Sequence, residues 1–562
     1  MRFIVLTLLF LPFFCNAQNN YPQDYFTSPL EIPLILSGTF AELRSNHFHS
    51  GLDIKTQQRV GLKVKAAANG FVSRIKVSHF GYGKALYITH PNGYTTVYAH
   101  LQKFSPTIEA YVKKQQYQQE TYEIELFPNA EALPVAQNKL VAYSGNSGGS
   151  GGPHLHFEVR DKTERPINPM LFGYDIKDSS KPYIKGLYAY PLTDSSQVNA
   201  SNQKQLIRLV PLKNGDYTTE NISAYGTIGF GIETNDRQDL AANSNGVYNI
   251  QAFFNGNKKY ELHFSLFLFD ESRHINQHID YGIFNETKKR IQKLFVQNNT
   301  LSLYKSTTNN GFLSIKDSTH SVYKIRVTDF KNNDTWLTIN IDGKKDTTAV
   351  LTKPKITPYY IHANQKIDLK SNNVTVDFYP DTFYNDFYMD FEVKNDTLTL
   401  HDDIMPTKKG FTITYNTEQY KTPDKSKLFI ARLSGHKKNI PIYSSTKRQG
   451  DSLSTNTKTL GTYTLMADTQ PPTIFSPNFK EGQWISNFNY LSIKISDDLS
   501  GISNYRATVN GKWILMEYDY KTKTLTHNFN DGVVTETKNN FKLIVTDNVG
   551  NSTTFESTFH RK

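Results

Sequence analysis

Apolar and polar positions alternate in short runs through the first third of the chain, and turn residues end each run. Residues 63–67, 70–78, 84–89, 95–101, 139–143 and 154–159 carry the two-residue period of half-buried strands. Asn69-Gly70, Gly81-Tyr82-Gly83 and Pro91-Asn92-Gly93 separate them, residue types that turn a chain sharply. The pattern predicts an antiparallel β unit over 40–172, with a lead-in over 18–39 marked by Tyr21-Pro22 and Ser28-Pro29. Residues 105–134, rich in Gln, Lys, Glu and Tyr, interrupt the alternation. They read as an insertion at one edge, forming part of a groove wall.

The alternation continues to the C-terminus and repeats itself. Asp178-Ser179-Ser180-Lys181-Pro182 matches Asp468-Thr469-Gln470-Pro471-Pro472, and Tyr323-Lys324-Ile325-Arg326-Val327-Thr328-Asp329 matches Phe541-Lys542-Leu543-Ile544-Val545-Thr546-Asp547. Two copies of a sandwich-type β unit follow, at 178–346 and 468–562, with a third β domain between them at 350–467. The first copy is longer. Its residues 284–295 suit a short amphipathic helix through Ile291, Leu294 and Phe295.

A chain of 562 residues is too long for one core, and 13% aromatic residues favour strands. Residues 1–17 read as a signal peptide: Arg2, an apolar stretch over 4–14, then Ala17. The single cysteine, Cys15, lies inside it, and Phe13-Phe14 before it argue against lipid attachment. The mature chain then holds no disulfide. An exported protein of the periplasm, cell envelope or medium is implied, with no later run long enough to span a membrane. The net charge of +11 becomes +10 without Arg2. The basic residues are dispersed, as on a solvated surface, and export excludes nucleic acid as a partner. Nothing in the composition fixes the oligomeric state.

Candidate chemistry enters at Gly145–Val159, where a glycine-rich run passes through Pro153 into His154-Leu155-His156-Phe157-Glu158. Residues i and i+2 of a strand share a face, so His154 and His156 project together. Two histidines on a solvated strand face would look the same. Upstream stands His47-Phe48-His49-Ser50-Gly51-Leu52-Asp53. His49 reads as the end of a loop and Asp53 as the start of a strand, with Gly51 turning both toward one ligand. With His156 they make two imidazoles and a carboxylate, a set that suits catalytic zinc with a position left for water. His100, in Tyr98-Ala99-His100-Leu101, ends another strand.

The three motifs together, H-x-G-x-D at 49–53, Y-A-H-L at 98–101 and G-P-H-L-H-F-E at 152–158, resemble the M23 peptidases of the lysostaphin/LytM type. The resemblance covers roughly 40–172. It implies an antiparallel two-sheet peptidase domain; the C-terminal copy at 468–562 separately resembles bacterial Ig-like modules, so a mainly β protein with several β-sandwich, Ig-like domains behind the first unit is expected. It implies one zinc per chain on His49, Asp53 and His156, with His100 and His154 as catalytic base or oxyanion stabiliser. The implied activity is hydrolysis of peptidoglycan stem or cross-link peptides by a zinc-activated water. Tyr98, Gly149 and Gly151 are expected along the substrate groove. A non-catalytic regulator or wall-binding scaffold on the same fold is the rival expectation.

Other candidates read more plainly. His47 could replace His49, but the spacing to Asp53 favours His49. His79 and His90 flank turns and are expected at the surface. His274, His278 and Asp280 have ligand-like spacing without a supporting motif. Asp236, Asp329, Asp497 and Asp547 recur at matched positions, where turn capping explains them more simply than calcium.

Overall fold

A strand that carries His154 and His156 needs a partner on each side before its face means anything, and the pairing supplies both. In the computed structural model, which describes residues 21–349, 351–420, 425–435 and 439–562, the strand His154–Arg160 lies between Leu52–Lys55 and Thr95–Ala99. All three run antiparallel, in a register that sets His156 opposite both Asp53 and Ala99. The sheet extends through Leu36–Gly38 on one side and through Lys84–Thr89, Gly70–Val77 and Ile124–Leu126 on the other. A smaller sheet of Lys63–Lys65, Leu140–Tyr143 and Lys103–Phe104 adds Val64, Val141, Ala142 and Phe104 to the same apolar core. The segment read as a signal peptide, with Cys15, lies outside the described residues. No helix among the described residues is long and apolar enough to cross a membrane.

The chain is mainly β, and among the described residues three large apolar cores follow one another along it, with a small fourth cluster of Ala85, Tyr87, Val97 and Ala99 on the outer face of the first sheet. The first joins the N-terminal β unit to the β unit of residues 178–346 without a break. Phe40 and Phe48 pack on Phe267 at 5.4 and 5.6 Å between ring centroids. The second core lies within the middle β domain and the third within the C-terminal two-sheet unit.

Two sequence expectations fail here for tertiary reasons. The insertion forms an α-helix, Pro106–Gln119, with only Ile108, Val112 and Gln116 buried. Three positions at i, i+4 and i+8 make too narrow a stripe to stand out among glutamines and lysines. This helix is also covered on its far side. Its outer face meets the C-terminal unit, where Lys113 and Tyr117 reach Asp531 and Tyr117 meets the Trp513 ring edge-on. The helix expected at 284–295 lies earlier, at Tyr281–Thr287, capped by the Asp280 side chain on the Ile283 amide. Ile291 and Phe295 instead fill space above Gly229 and Gly231 of the long strand Ile222–Asn235, where a Cβ would meet Phe295 at 2.4 Å and Ile291 at 3.0 Å.

The C-terminal unit docks on the peptidase unit beside the glycine-rich loop. Tyr520 donates to the Gly148 carbonyl at 3.2 Å, and Lys521 Nζ to that of Asn146 at 2.6 Å. Buried Lys84 pairs with half-exposed Glu517 at 2.7 Å. Removing Glu517 leaves Lys84 buried without its charge partner, which costs about 3–5 kcal/mol for a fully buried pair and less with one partner wetted. Glu517→Ala is therefore expected to cost about 1–3 kcal/mol, read as a lower melting temperature and faster proteolytic release of the C-terminal unit.

Candidate metal centre

His49 stands in the loop before Leu52–Lys55, Asp53 within that strand, and His156 opposite it. Asp53 Oδ1 lies 2.9 Å from both His49 Nε2 and His156 Nδ1, and these two nitrogens are 3.0 Å apart. Gly51 permits the approach of the strands, since a Cβ there would stand 2.3 Å from the Phe157 carbonyl oxygen. Gly38 leaves room for Arg44, whose Nη2 holds Asp53 Oδ2 at 3.0 Å.

The outer nitrogen of each imidazole decides what the inner one can do. His49 Nδ1 donates to the Thr39 carbonyl at 2.7 Å, and His156 Nε2 donates to Glu158 Oε1 at 2.8 Å. In their neutral forms both rings therefore turn a lone pair inward, toward a carboxylate oxygen. Three acceptors face one another with no donor among them, an arrangement that calls for a cation. Their spacing of 2.9–3.0 Å approaches the edge of about 3.3 Å of a tetrahedral site with bonds of about 2.0–2.1 Å. Without a metal a proton takes that place. Burial lowers the basicity of His156, but hydrogen bonds to Asp53 and Glu158 outweigh it and raise its pKa to about 9.

His100 and His154 complete the site, their ring centroids 4.8 Å apart. His100 adopts a left-handed φ of 58° at the end of its strand, which turns the ring inward. Its Nδ1 donates to the Ser147 carbonyl at 2.9 Å, and His154 Nδ1 donates to that of Gly152 at 2.8 Å. Both neutral rings thus present Nε2 as an acceptor, and His154 Nε2 lies 3.3 Å from Asp53 Oδ1. Burial, with the neighbouring imidazoles, pushes the His100 pKa down to about 3, so its ring is neutral at ordinary pH.

Beneath the ligands lies a residue to which no role was assigned from sequence. Glu158 is fully buried and accepts from His156, Ser50, Tyr82 and Arg160. Two-residue periodicity from His154 through His156 to Glu158 was the available signal. Arg44 had none.

Several assignments change. Tyr98 is not a groove residue: it is wholly buried on the opposite face of its strand, its hydroxyl accepting from the Ala67 amide and Thr96. His90 is buried, bonded to the Asn69 carbonyl and Thr96. His79 packs among Tyr122, Tyr505 and Tyr518 beneath the C-terminal unit. His47 is exposed and holds only the Ser45 carbonyl. His278 bonds to Tyr304 and Gln292, while Asp280 caps a helix and pairs with Lys204.

Gly149 and Gly151 are exposed on the loop beside His154. A Cβ at Gly151 meets nothing within 4 Å, whereas one at Gly148, whose φ is 68°, would stand 2.3 Å from the Gly83 amide nitrogen. Gly148→Ala is expected to cost about 1–3 kcal/mol in denaturant unfolding, and Gly151→Ala less than about 0.5 kcal/mol.

Over part of its length the chain is similar to known proteins. Residues 47–117 match Peptidase family M23, and residues 358–468 match the Zu5-like domain. The DD-carboxypeptidase/endopeptidase Mpg of Neisseria meningitidis is 33% identical over 128 residues, 23% of each chain. An uncharacterized metalloprotease of Haemophilus influenzae is 32% identical over 122 residues, 22% of this chain and 20% of that one. The chain thus spans about a quarter of the length of the curated relatives it matches. Among solved structures, a catalytic-domain mutant of the prophage-encoded M23 protein EnpA from Enterococcus faecalis aligns with 22% identity and a TM-score of 0.19, over 27% of this chain and 98% of that one. The residues that match peptidase family M23 hold His49, Asp53 and His100, and the fold brings His156 from beyond the match into one group with His49 and Asp53.

Proposed function

We propose that the protein is an exported zinc endopeptidase of the cell envelope that hydrolyses stem or cross-link peptides of peptidoglycan. The observation that carries this reading is the convergence of two imidazole lone pairs and one carboxylate, with two further imidazoles beside them. His49, Asp53 and His156 would hold the zinc. Zinc bound there would supply Lewis acidity toward a peptide carbonyl and lower the pKa of water from about 15.7 to about 7.

The remaining work falls to His100 and His154. Their Nδ1 atoms are engaged by backbone carbonyls, so each accepts a proton only at Nε2. Either can take the proton of the attacking water and return it to the leaving amine. The imidazolium formed after the first transfer is a donor toward the developing oxyanion. The Gly152 carbonyl steadies His154, and the Ser147 carbonyl steadies His100. The name of the meningococcal relative, a DD-carboxypeptidase/endopeptidase, supports a peptidoglycan substrate.

The test is digestion of purified sacculi by zinc-loaded protein, with mass spectrometry of the products. New muropeptides cut in the peptide moiety are expected. Intact cross-linked muropeptides after prolonged digestion would refute the substrate.

A further inference from the structure

Three aspartates meet at the junction of the peptidase unit and the first sandwich. Asp178 comes from the linker, Asp236 from the residue after the strand Ile222–Asn235, and Asp329 from the residue after His320–Thr328. One carboxylate oxygen of each lies within 4.8 Å of the others. Asp236 and Asp329 are 5% and 1% exposed. Among the described residues no lysine, arginine or histidine forms an ion pair with any of the three. Lys331, at the edge of the same cavity, lies over the Phe330 ring instead.

Turn capping accounts for part of this cluster. Asp329 accepts from the amide and side chain of Asn333, and Asp178 Oδ1 from the Ser180 amide. It accounts for Asp236 only in part: the Arg237 amide and the Asp178 carboxyl lie against its side chain, while its Oδ1 is buried without a donor. A buried carboxylate oxygen with no donor, set among two further carboxylates, is costly unless a cation joins it.

The second repeat copy provides an internal contrast. Asp468, Asp497 and Asp547 gather in the same way, but there the middle residue is satisfied. Asp497 Oδ2 accepts from the Leu499 and Gly501 amides. Asp468 accepts from the Gln470 and Ser500 amides, and Asp547 from those of Val549 and Asn551. The same repeat position thus takes two backbone amides on one oxygen in one copy and keeps a buried oxygen without a donor in the other.

We propose that Asp178, Asp236 and Asp329 bind one calcium ion that fastens the first sandwich to the peptidase unit. All-oxygen, carboxylate-rich donors select hard cations over zinc or copper. Ligands drawn from three separate segments suit the irregular, expandable shell of calcium better than the strict octahedron of magnesium. Leu36, Thr39 and Phe40 of the peptidase unit line the cavity beside Asp178 and Asp236. Two residues past Asp236, the Gln238 side chain bonds to the Leu36 amide at 2.7 Å and the Leu34 carbonyl at 2.9 Å. Thr39 bonds to the Gly246 amide at 3.0 Å, and its carbonyl holds His49. Ordering the Asp236 loop thereby orders the strand in front of the metal centre.

The experiment uses the full chain, freed of adventitious metal and then loaded with zinc so that the peptidase site is filled. Calcium chloride is titrated by calorimetry and in thermal melts. One calcium per chain is expected, with a melting-temperature rise of about 5–10 °C at a hundredfold excess over Kd. Both signals should vanish in Asp236→Asn and persist in Asp497→Asn. Asp236→Asn removes one of three repelling charges, so its calcium-free melting temperature should equal or exceed that of the wild type. Absence of binding at about 10 mM calcium, or unchanged binding in Asp236→Asn, would overturn the proposal.

Discussion

His156→Ala is expected to abolish stoichiometric zinc binding and to lower peptidoglycan cleavage by about a thousandfold or more. The ligand set keeps only His49 and Asp53, one imidazole short of the three protein ligands a catalytic zinc site uses. The several kcal/mol of transition-state stabilisation that such a metal supplies then goes with it, and about 4 kcal/mol corresponds to a thousandfold in rate. The fold should survive, because Glu158 keeps Arg160, Ser50 and Tyr82 as partners. Metal analysis of the purified variant gives the first readout, muropeptide profiles the second and circular dichroism the third. Full zinc occupancy in this variant would mean that the metal sits elsewhere.

Glu158→Ala should act mainly on stability. Burial opposes the charge on Glu158, but Arg160 and His156 outweigh it and hold the carboxyl far below the usual range. Removing the carboxylate leaves Arg160 buried beside an empty space, with solvent-exposed Glu164 at 3.1 Å as its remaining ion-pair partner and the Tyr87 and Phe269 rings beneath it. Breaking a buried pair in this way costs about 3–5 kcal/mol, and losing the partner of a ligating histidine weakens metal binding about 10–100-fold. Glu158→Gln should be milder, since it keeps an acceptor for the His156 ring. The stability Glu158 contributes is fully present above the ordinary carboxyl pKa of about 4.3 and is lost as pH falls through the depressed folded value. Denaturant melts of the two variants at pH 7, with zinc competition by a chromogenic chelator, check both effects. Equal stability of wild type and Glu158→Ala would remove Glu158 from this role.

The two variants also separate what was readable from what was not. His49, Asp53, His100, His154 and His156 were singled out by the resemblance of their motifs to the M23 peptidases; the residues alone supplied a bend at Gly51 and a two-residue period on one strand face. The same period, carried one step further, points at Glu158. It also explains the failure at Tyr98. Alternation puts Ala99 on the site face opposite His156 and sends Tyr98 into the core, so a residue inside a motif need not face the chemistry. The helix at Pro106–Gln119 went unread because its buried stripe is a single residue wide.

The chain's order of residues determined the strands, the repeat and the identity of the inward-facing imidazoles. These depend on local sterics and on spacing within a few residues, and local sterics act before any distant segment arrives. The tertiary structure alone decided the rest. Register across a separation of 103 residues brings His156 to Asp53. The Thr39 carbonyl and Glu158 choose which ring nitrogen each ligand histidine offers. Docking of the C-terminal unit covers His79 and binds the loop beside His154. A hydrogen bond between distant segments depends on where the whole fold places them, and no spacing within one motif encodes that.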